Sequence, residues 1–343
     1  MEPITFMEPL VSIIINNYNY SCFVRTAIES SLAQTYKNIE VIIVDDGSTD
    51  DSRNIINEYL NRAKVVLKTN GGQASALNVG IAKSKGNFIL ILDSDDYLYP
   101  EAVEVCVKAF PNGYSRIYYR FKYIDKDNNP IKWKKRIDNF QNFDGDVISA
   151  LVKKDIFPVT PTSCNFFDAR KLKMIIPIPE NEYRICADLY LLAKTPLFGP
   201  VRSIDRILAA YRIHGNNNFC SINKTFDVRS LENQIYNIYK STELIEETCN
   251  KAGYEYRYRI EERNFGVLAT LCTGYKIRLN NPLIMKLTKI ALFRKAIKYL
   301  HLGKSSILIK IAQFIYISLI IYLPDNCARK MLKYLHAWFL RKN

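Results

Sequence analysis

The chain has 343 residues, 48% of them hydrophobic and 24% charged, with 48 Lys+Arg against 34 Asp+Glu for a net charge of +14. That length and apolar content exclude a disordered chain and predict a catalytic-sized domain with an appended part. The eight cysteines are scattered with no C-x-x-C pair and no histidine at metal spacing, which argues against a disulfide framework or a zinc site. MEPITFMEPL at the start has two glutamates, two prolines and no apolar core segment, so it is not read as a secretory signal and a cytoplasmic protein is expected.

In chain order, Leu10–Ile15 reads as a buried strand, Cys22–Leu32 as a helix, Glu40–Val44 as a second strand, Asp51–Leu60 as a helix and Lys64–Leu67 as a short strand. Asn70-Gly71-Gly72 turns the chain, Gln73–Lys83 makes a helix, and Asn87–Leu92 is a further strand. Pro100 opens a helix to about Phe110, Tyr114–Ile124 is a strand rich in aromatic and β-branched residues, and Asp127-Asn128-Asn129-Pro130 is a turn. This alternation predicts an α/β fold with a mostly parallel sheet. From Trp133 to about Asn223 the periodicity weakens, and Thr225–Leu279 looks helical. Farther on, Leu283, Leu287, Ile290 and Ile297 are expected to line one helical face, with Lys286, Lys289, Lys295 and Lys298 largely off it.

The charge is unevenly placed. Residues 1–110 carry 9 Lys+Arg against 14 Asp+Glu, for −5, whereas residues 264–343 carry 14 against the single acid Asp325, for +13. Such a basic tail predicts attraction to a polyanionic surface, and anionic lipid is the surface expected; the motifs of a nucleic-acid binder are missing. Ile307–Leu323 is nearly all apolar, broken by Lys310, Gln313 and Ser318 and stopped by Pro324. It is shorter than the ~20 apolar residues of a spanning helix, so a buried or interfacial helix is favoured over a true span.

Two segments carry the chemistry. Val41–Asp50 (VIIVDDGSTD) and Phe88–Asp96 (FILILDSDD) are apolar runs that end abruptly in carboxylates. In an open α/β sheet the carboxyl ends of the strands are where ligands bind, and clustered aspartates repel unless a cation or a hydrogen-bonding ligand lies between them. A divalent metal carrying a nucleotide diphosphate meets both needs. Ser48, Thr49 and Asp50 are also suited to capping the helix that begins near Asp51, and Asp96 to capping or bracing the turn after it.

The chain resembles the family 2 glycosyltransferases of the GT-A fold. Five segments in order carry the resemblance: Asn16-Asn17-Tyr18-Asn19, Gln34-Thr35, Asp45-Asp46-Gly47-Ser48, Gly72–Gly80 (GQASALNVG), and Asp93-Ser94-Asp95. It implies a catalytic domain over 1–224, with a nucleotide-binding half over about 1–110 and an acceptor half over 111–224, followed by a basic helical region over 225–343. It implies a base site where Tyr18 stacks and Asn16 bonds the base edge, and Asp46, beside Asp45, accepting from uracil. It further implies Gly71, Gly72 and Asn78 against the nucleotide, and Asp93, Ser94 and Asp95 at the ribose and a Mn²⁺ or Mg²⁺ ion, with Asp95 the first choice as direct ligand.

Farther along, Ala187-Asp188-Leu189-Tyr190 precedes Leu208–Asn216 (LAAYRIHGN) at a family-like distance. The resemblance makes Asp188 the general base and brings His214 toward the diphosphate or metal. The family's usual Glu-Asp pair is here Ala187-Asp188, which puts the acceptor contacts in doubt more than catalysis. Lys132, Lys134, Lys135 and Arg136 around Trp133 read as a solvated charged face or as contacts to the phosphate of a lipid-linked acceptor. The implied reaction is inverting transfer from a nucleotide sugar, a UDP-sugar by the Asp46 contact, to a glycan or lipid-linked hydroxyl in cell-envelope polysaccharide assembly. It would take place peripherally on the inner face of the cytoplasmic membrane. Two alternatives stay open. A sugar nucleotidyltransferase would want a Gly-rich basic loop after the first strand, where Asn17-Tyr18-Asn19-Tyr20 stands, and a non-catalytic membrane-binding module would need no intact carboxylate set.

Overall fold

The computed structural model describes residues 8–131, 140–154, 157–214, 217, 228–256, 265–276, 278, 282–302, 307–322 and 324. The Lys132–Arg136 cluster, Gly215, Asn216 and the end of the tail lie outside them, as does the side chain of Leu283. The chain divides into two compact units, residues 1–222 and 223–343.

In the first unit β1 (Val11–Asn17), α1 (Ser21–Leu32), β2 (Ile39–Asp45), α2 (Ser52–Asn57), β3 (Lys64–Leu67), α3 (Gln73–Lys83) and β4 (Phe88–Asp93) alternate. Then come β5 (Tyr97–Leu98), α4 (Ala102–Ala109), β6 (Arg116–Ile124), β7 (Asp144–Gly145), α5 (Val147–Lys154), β8 (Asn165–Asp168), α6 (Ala169–Lys173), α7 (Ala187–Lys194) and β9 (Val201–Arg212). The sheet order is β3-β2-β1-β4-β8-β6-β9-β5, with β7 on β9. The strands from β3 to β4 are parallel. Helices α1, α2 and α3 pack on these strands, and Ile13–Ile15, Val41–Val44 and Phe88–Leu92 are apolar runs without alternation. Ile13, Ile15, Ile43, Leu90 and Leu92 are fully buried in this core. Beyond β4 the sheet is mixed: β8 is antiparallel to β4 and β6, while β6 and β9 run parallel.

Two local expectations change. The second helix stops at Asn57, because Glu58 to Arg62 close turns instead. The twelve-residue β9, whose end carries the YRIH segment, was not expected as a strand. After the buried Val201, Arg202–Ile207 is half-buried or exposed, so Leu208–Ala210 is the only buried apolar run.

The second unit comprises α8 (Val228–Lys251), α9 (Phe265–Lys276), α10 (Pro282–Met285), α11 (Lys289–Leu302) and α12 (Ile307–Tyr322). Its core joins Leu268, Cys272, Leu292, Ala296, Tyr299, Ile317 and Ile320. The expected apolar face of α11 is therefore corrected. Leu292, Ala296 and Tyr299 point inward at helical spacing, whereas Ile290 and Ile297 are exposed. The six described cysteines are free thiols, five of them buried. Among the described residues no helix is long and apolar enough to cross a membrane.

Candidate active site

Parallel register sets the site. Asn16 pairs with Val44 on one side and Asp93 on the other, and Asn17 pairs with Asp45, so three strands end in one polar row. Across it Asn16 Nδ2 donates to Asp93 at 3.1 Å and Asn17 Nδ2 donates to Asp45 at 3.0 Å. Tyr18, just past β1, is 45% exposed, open to a stacking partner rather than sunk in the core.

The two aspartates after β2 divide the work. Asp45 is fully buried and braces the turn, accepting from Ser48 N, Asn17 and the Arg53 guanidinium; these bonds hold its pKa down against burial. Asp46 reaches across to the next loop. One oxygen accepts from Lys68 Nζ at 2.6 Å and Gly71 N at 2.9 Å, and the other from Gly72 N at 2.7 Å. With two lone-pair directions per oxygen, the second oxygen keeps one acceptor position. Gly72 has φ +91°, and a Cβ there would meet the Arg184 carbonyl at 2.6 Å, so glycine is required by both turn and packing.

Helix capping departs from expectation. Asp50 accepts from Ser52 N at 3.0 Å and also from Ser21 N at 2.9 Å, holding the starts of two helices. Ser48 and Thr49 do not cap: Ser48 Oγ bonds Asn17 and Asn19, and Thr49 N donates to Asn19. Gln34 ties α1 to α4 through Tyr99 O and Val103 N, a structural role.

The end of β4 is the electrostatic centre. Asp93 accepts from Asn16 and, at 3.3 Å, from Gln73 Nε2. Burial, then the negative charges of Asp95 and Asp188, push its pKa up to about 7. Asp95 lies 3.0 Å from His214 Nε2. That imidazole is packed between the rings of Phe23 and Tyr20, at centroid distances of 4.9 and 5.3 Å. Arg212 stacks on Phe23 and donates to the Asp95 carbonyl at 2.7 Å, fixing the loop. Asp96 does not cap the turn. It accepts from Arg212 N and from Ser163 Oγ, spanning β4 to β9, and burial holds its pKa well above the carboxylate range. The Ser94 hydroxyl and the Oδ1 atoms of Asn16 and Asn17 are buried and find no partner among the described residues.

Asp188 arrives from the other half of the sheet, in the first turn of α7. Burial raises its pKa, partly offset by the nearby Thr162 side chain, which acts in the same direction on Asp93. Gln73 makes a bridge: its Oε1 accepts from Ala187 N at 3.0 Å while its Nε2 faces Asp93. Asn16, Asp93, Asp95, His214 and Asp188 are thus linked through charge and Gln73. Ala187 is fully buried and offers nothing to a ligand. Asn78 turns away from this cluster, its amide bonded to Ile178 O, Ile178 N and Glu180. Sequence reading missed Gln73, although it sits inside a quoted motif, and missed Thr162 and Ser163, which lie in a stretch without periodicity.

The family model for glycosyl transferase family 2 matches residues 12–175. An uncharacterized glycosyltransferase of Nostoc sp. is 33% identical over 219 residues, covering 62% of this chain and 67% of that protein. The chondroitin synthase of Pasteurella multocida is 48% identical over 105 residues, covering 30% of this chain but only 11% of the synthase. Among solved structures, S. aureus TarS 1–349 in complex with UDP-GlcNAc superimposes with a TM-score of 0.52 at 17% identity, covering 93% of this chain and 91% of that one.

Proposed function

Because the chain belongs to glycosyl transferase family 2, and so is a glycosyltransferase with a GT-A α/β fold, we propose that it moves a sugar from a UDP-sugar to a hydroxyl of a glycan or lipid-linked acceptor with inversion. The observation that carries this is the meeting of the strand-end carboxylate Asp93 with α7: Gln73 bonds Asp93 and Ala187 N, and the charge of the next residue, Asp188, bears on Asp93. Residues 1–110 then hold the nucleotide and 111–224 the acceptor. Tyr18 stacks on the base and Asn16 bonds its edge. The free acceptor position on Asp46 takes the uracil N–H.

A divalent cation fits this site by the chemistry of the donor set. Among the described residues no three His, Cys, Asp or Glu groups already form a metal cluster. Asp95 and His214 nonetheless give an oxygen and an imidazole side by side, and the charge crowding on Asp93 is what a cation would relieve. Asp95, His214 and Asp93 would share the ion with diphosphate oxygens, which suits Mn²⁺ or Mg²⁺. The ion, when bound, neutralises charge on the departing diphosphate.

The chain's own residues do the rest. Asp188 accepts the proton of the acceptor hydroxyl as its oxygen attacks C1 from the face opposite the diphosphate; the C1–O bond to the nucleotide breaks and the anomeric centre inverts. Gln73 holds Asp93 and the start of α7, which carries Asp188, in fixed relation while this happens. We place the acceptor in cell-envelope polysaccharide assembly at an anionic membrane surface, supported by the +13 of residues 264–343. A screen of nucleotide sugars for donor hydrolysis with Mn²⁺, repeated in EDTA, tests the reading. UDP-sugar turnover abolished by EDTA supports it; failure with every UDP-sugar overturns the donor assignment, and full activity in EDTA overturns the metal.

A further inference from the structure

Helix α12 presents to solvent a stripe that its sequence does not separate out. Ile307, Ile311, Ile315 and Leu319 recur at every fourth residue and share one face with Tyr322; all five are exposed, Ile307 to 63% and Ile315 to 53%. On the opposite side Tyr316, Ile317, Ile320 and Ile321 are buried in the helical core. Of the polar breaks in the apolar run, Lys310 and Gln313 fall off the stripe, whereas the half-buried Ser318 shares its face. Gln313 is buried and accepts from the Tyr299 hydroxyl at 2.6 Å, and Lys310 reaches the Leu300 carbonyl at 3.1 Å, at the end of α11. Phe293 of α11 stands 5.8 Å from the Tyr322 ring, carrying the apolar surface toward α11.

A bare aliphatic stripe about 18 Å long is far more than the single exposed residues of an ordinary surface. The segment around it supplies the complementary chemistry. Lys286, Lys289 and Arg294 are exposed on the adjoining α10–α11 stretch beside the apolar Met285, Ile290 and Ile297, and residues 264–343 carry +13. A surface that takes both aliphatic side chains and dense positive charge is a bilayer interface with anionic headgroups. An apolar protein groove would take the stripe but would not call for the cations. Sixteen residues of helix are too few to span, whereas lying flat uses the full length of the stripe.

We propose that α12 is an interfacial membrane helix, its Ile307–Ile311–Ile315–Leu319 stripe seated at the headgroup–acyl boundary of an anionic membrane. This rests on the proposed membrane partnership of the basic region and names the contact that makes it. Charge alone gives attraction that salt removes; the stripe adds binding that salt leaves.

The test is flotation of the full chain with phosphatidylglycerol–phosphatidylcholine vesicles, without nucleotide sugar, for wild type and for Ile311→Ser/Ile315→Ser/Leu319→Ser. The stripe variant should bind about a hundredfold or more weakly, with helicity and donor hydrolysis unchanged, since these side chains face outward. In a second measurement, Ile315→Trp should be quenched by brominated lipid well beyond the wild-type background. Equal flotation of variant and wild type, or no added quenching, overturns the stripe while leaving the charge-based reading standing. No flotation of wild type overturns both. A wild-type dimer that the triple variant dissolves, with flotation unchanged, assigns the face to self-association and overturns the proposal.

Discussion

The crevice of the first unit hides its charge and the surface of the second displays it. In the crevice of the first, Asp45, Asp46, Asp93 and Asp96 are buried or nearly so, and each is held by named donors or pushed toward its neutral form. In the second the core is an apolar set with few polar members, and Lys286, Lys289 and Arg294 lie at the surface. Buried charge costs free energy that donors must offset, as at Asp45 and Asp96, or that a ligand relieves, as proposed at Asp93; surface charge costs little and is free to meet a partner. The lesson is that the same formal charges carry opposite information according to the solvent around them.

The comparison breaks most visibly at Asp188. Asp188→Asn should cut transfer by about 10²–10⁴-fold while leaving donor affinity intact, because only the attacking hydroxyl needs the base. Calorimetric donor binding that collapses with activity would move Asp188 into the donor site. Asp95→Asn comes next, with a loss of about a hundredfold in rate. Unchanged turnover in this variant would remove the ion from the Asp95–His214 pair.

A smaller effect lies in stability against pH. The Asp93 pKa stands near 7 in the folded chain and near 4 when unfolded, so between those values the folded state holds a proton that the unfolded chain has released. The stability this contributes is full below about pH 4 and lost as pH rises through about 7. Asp93→Asn should therefore melt above wild type at pH 8, by about 2–4 °C for each kcal/mol recovered, with the gap closing toward pH 4. A gap that stays constant with pH would show that Asp93 is not the group responsible. The least effect on transfer is expected from the other unit. Leu292→Ala should cost about 2–5 kcal/mol of stability in the helical unit while donor hydrolysis persists, and equal loss of both would show that the units act as one.

Much of the stretch from β1 to β4 was legible because its signals are local. An apolar run such as Val41–Val44 that stops at Asp45-Asp46 reveals a buried strand and its carboxyl end together, and Lys64–Leu67 and Gln73–Lys83 form as read. The site was less legible where its residues serve each other across long separations. Gln73 joins Asp93 to Ala187, and Asp96 joins Ser163 to Arg212; no pattern at short spacing encodes such contacts. Asn78 shows the reverse error, since its place in a motif suggested a ligand and its amide is spent on Ile178 and Glu180.

By itself the sequence determined the alternation of strand and helix, the aspartates that end the strands, the family, and the basic tail, because side-chain period and run length are written along the chain. Only the tertiary structure decided which carboxylates are braces and which face the crevice, and which face of α11 and α12 turns inward. Those depend on what stands opposite each side chain: burial and hydrogen-bond partners set protonation, and packing of one helix against another selects the face that meets solvent.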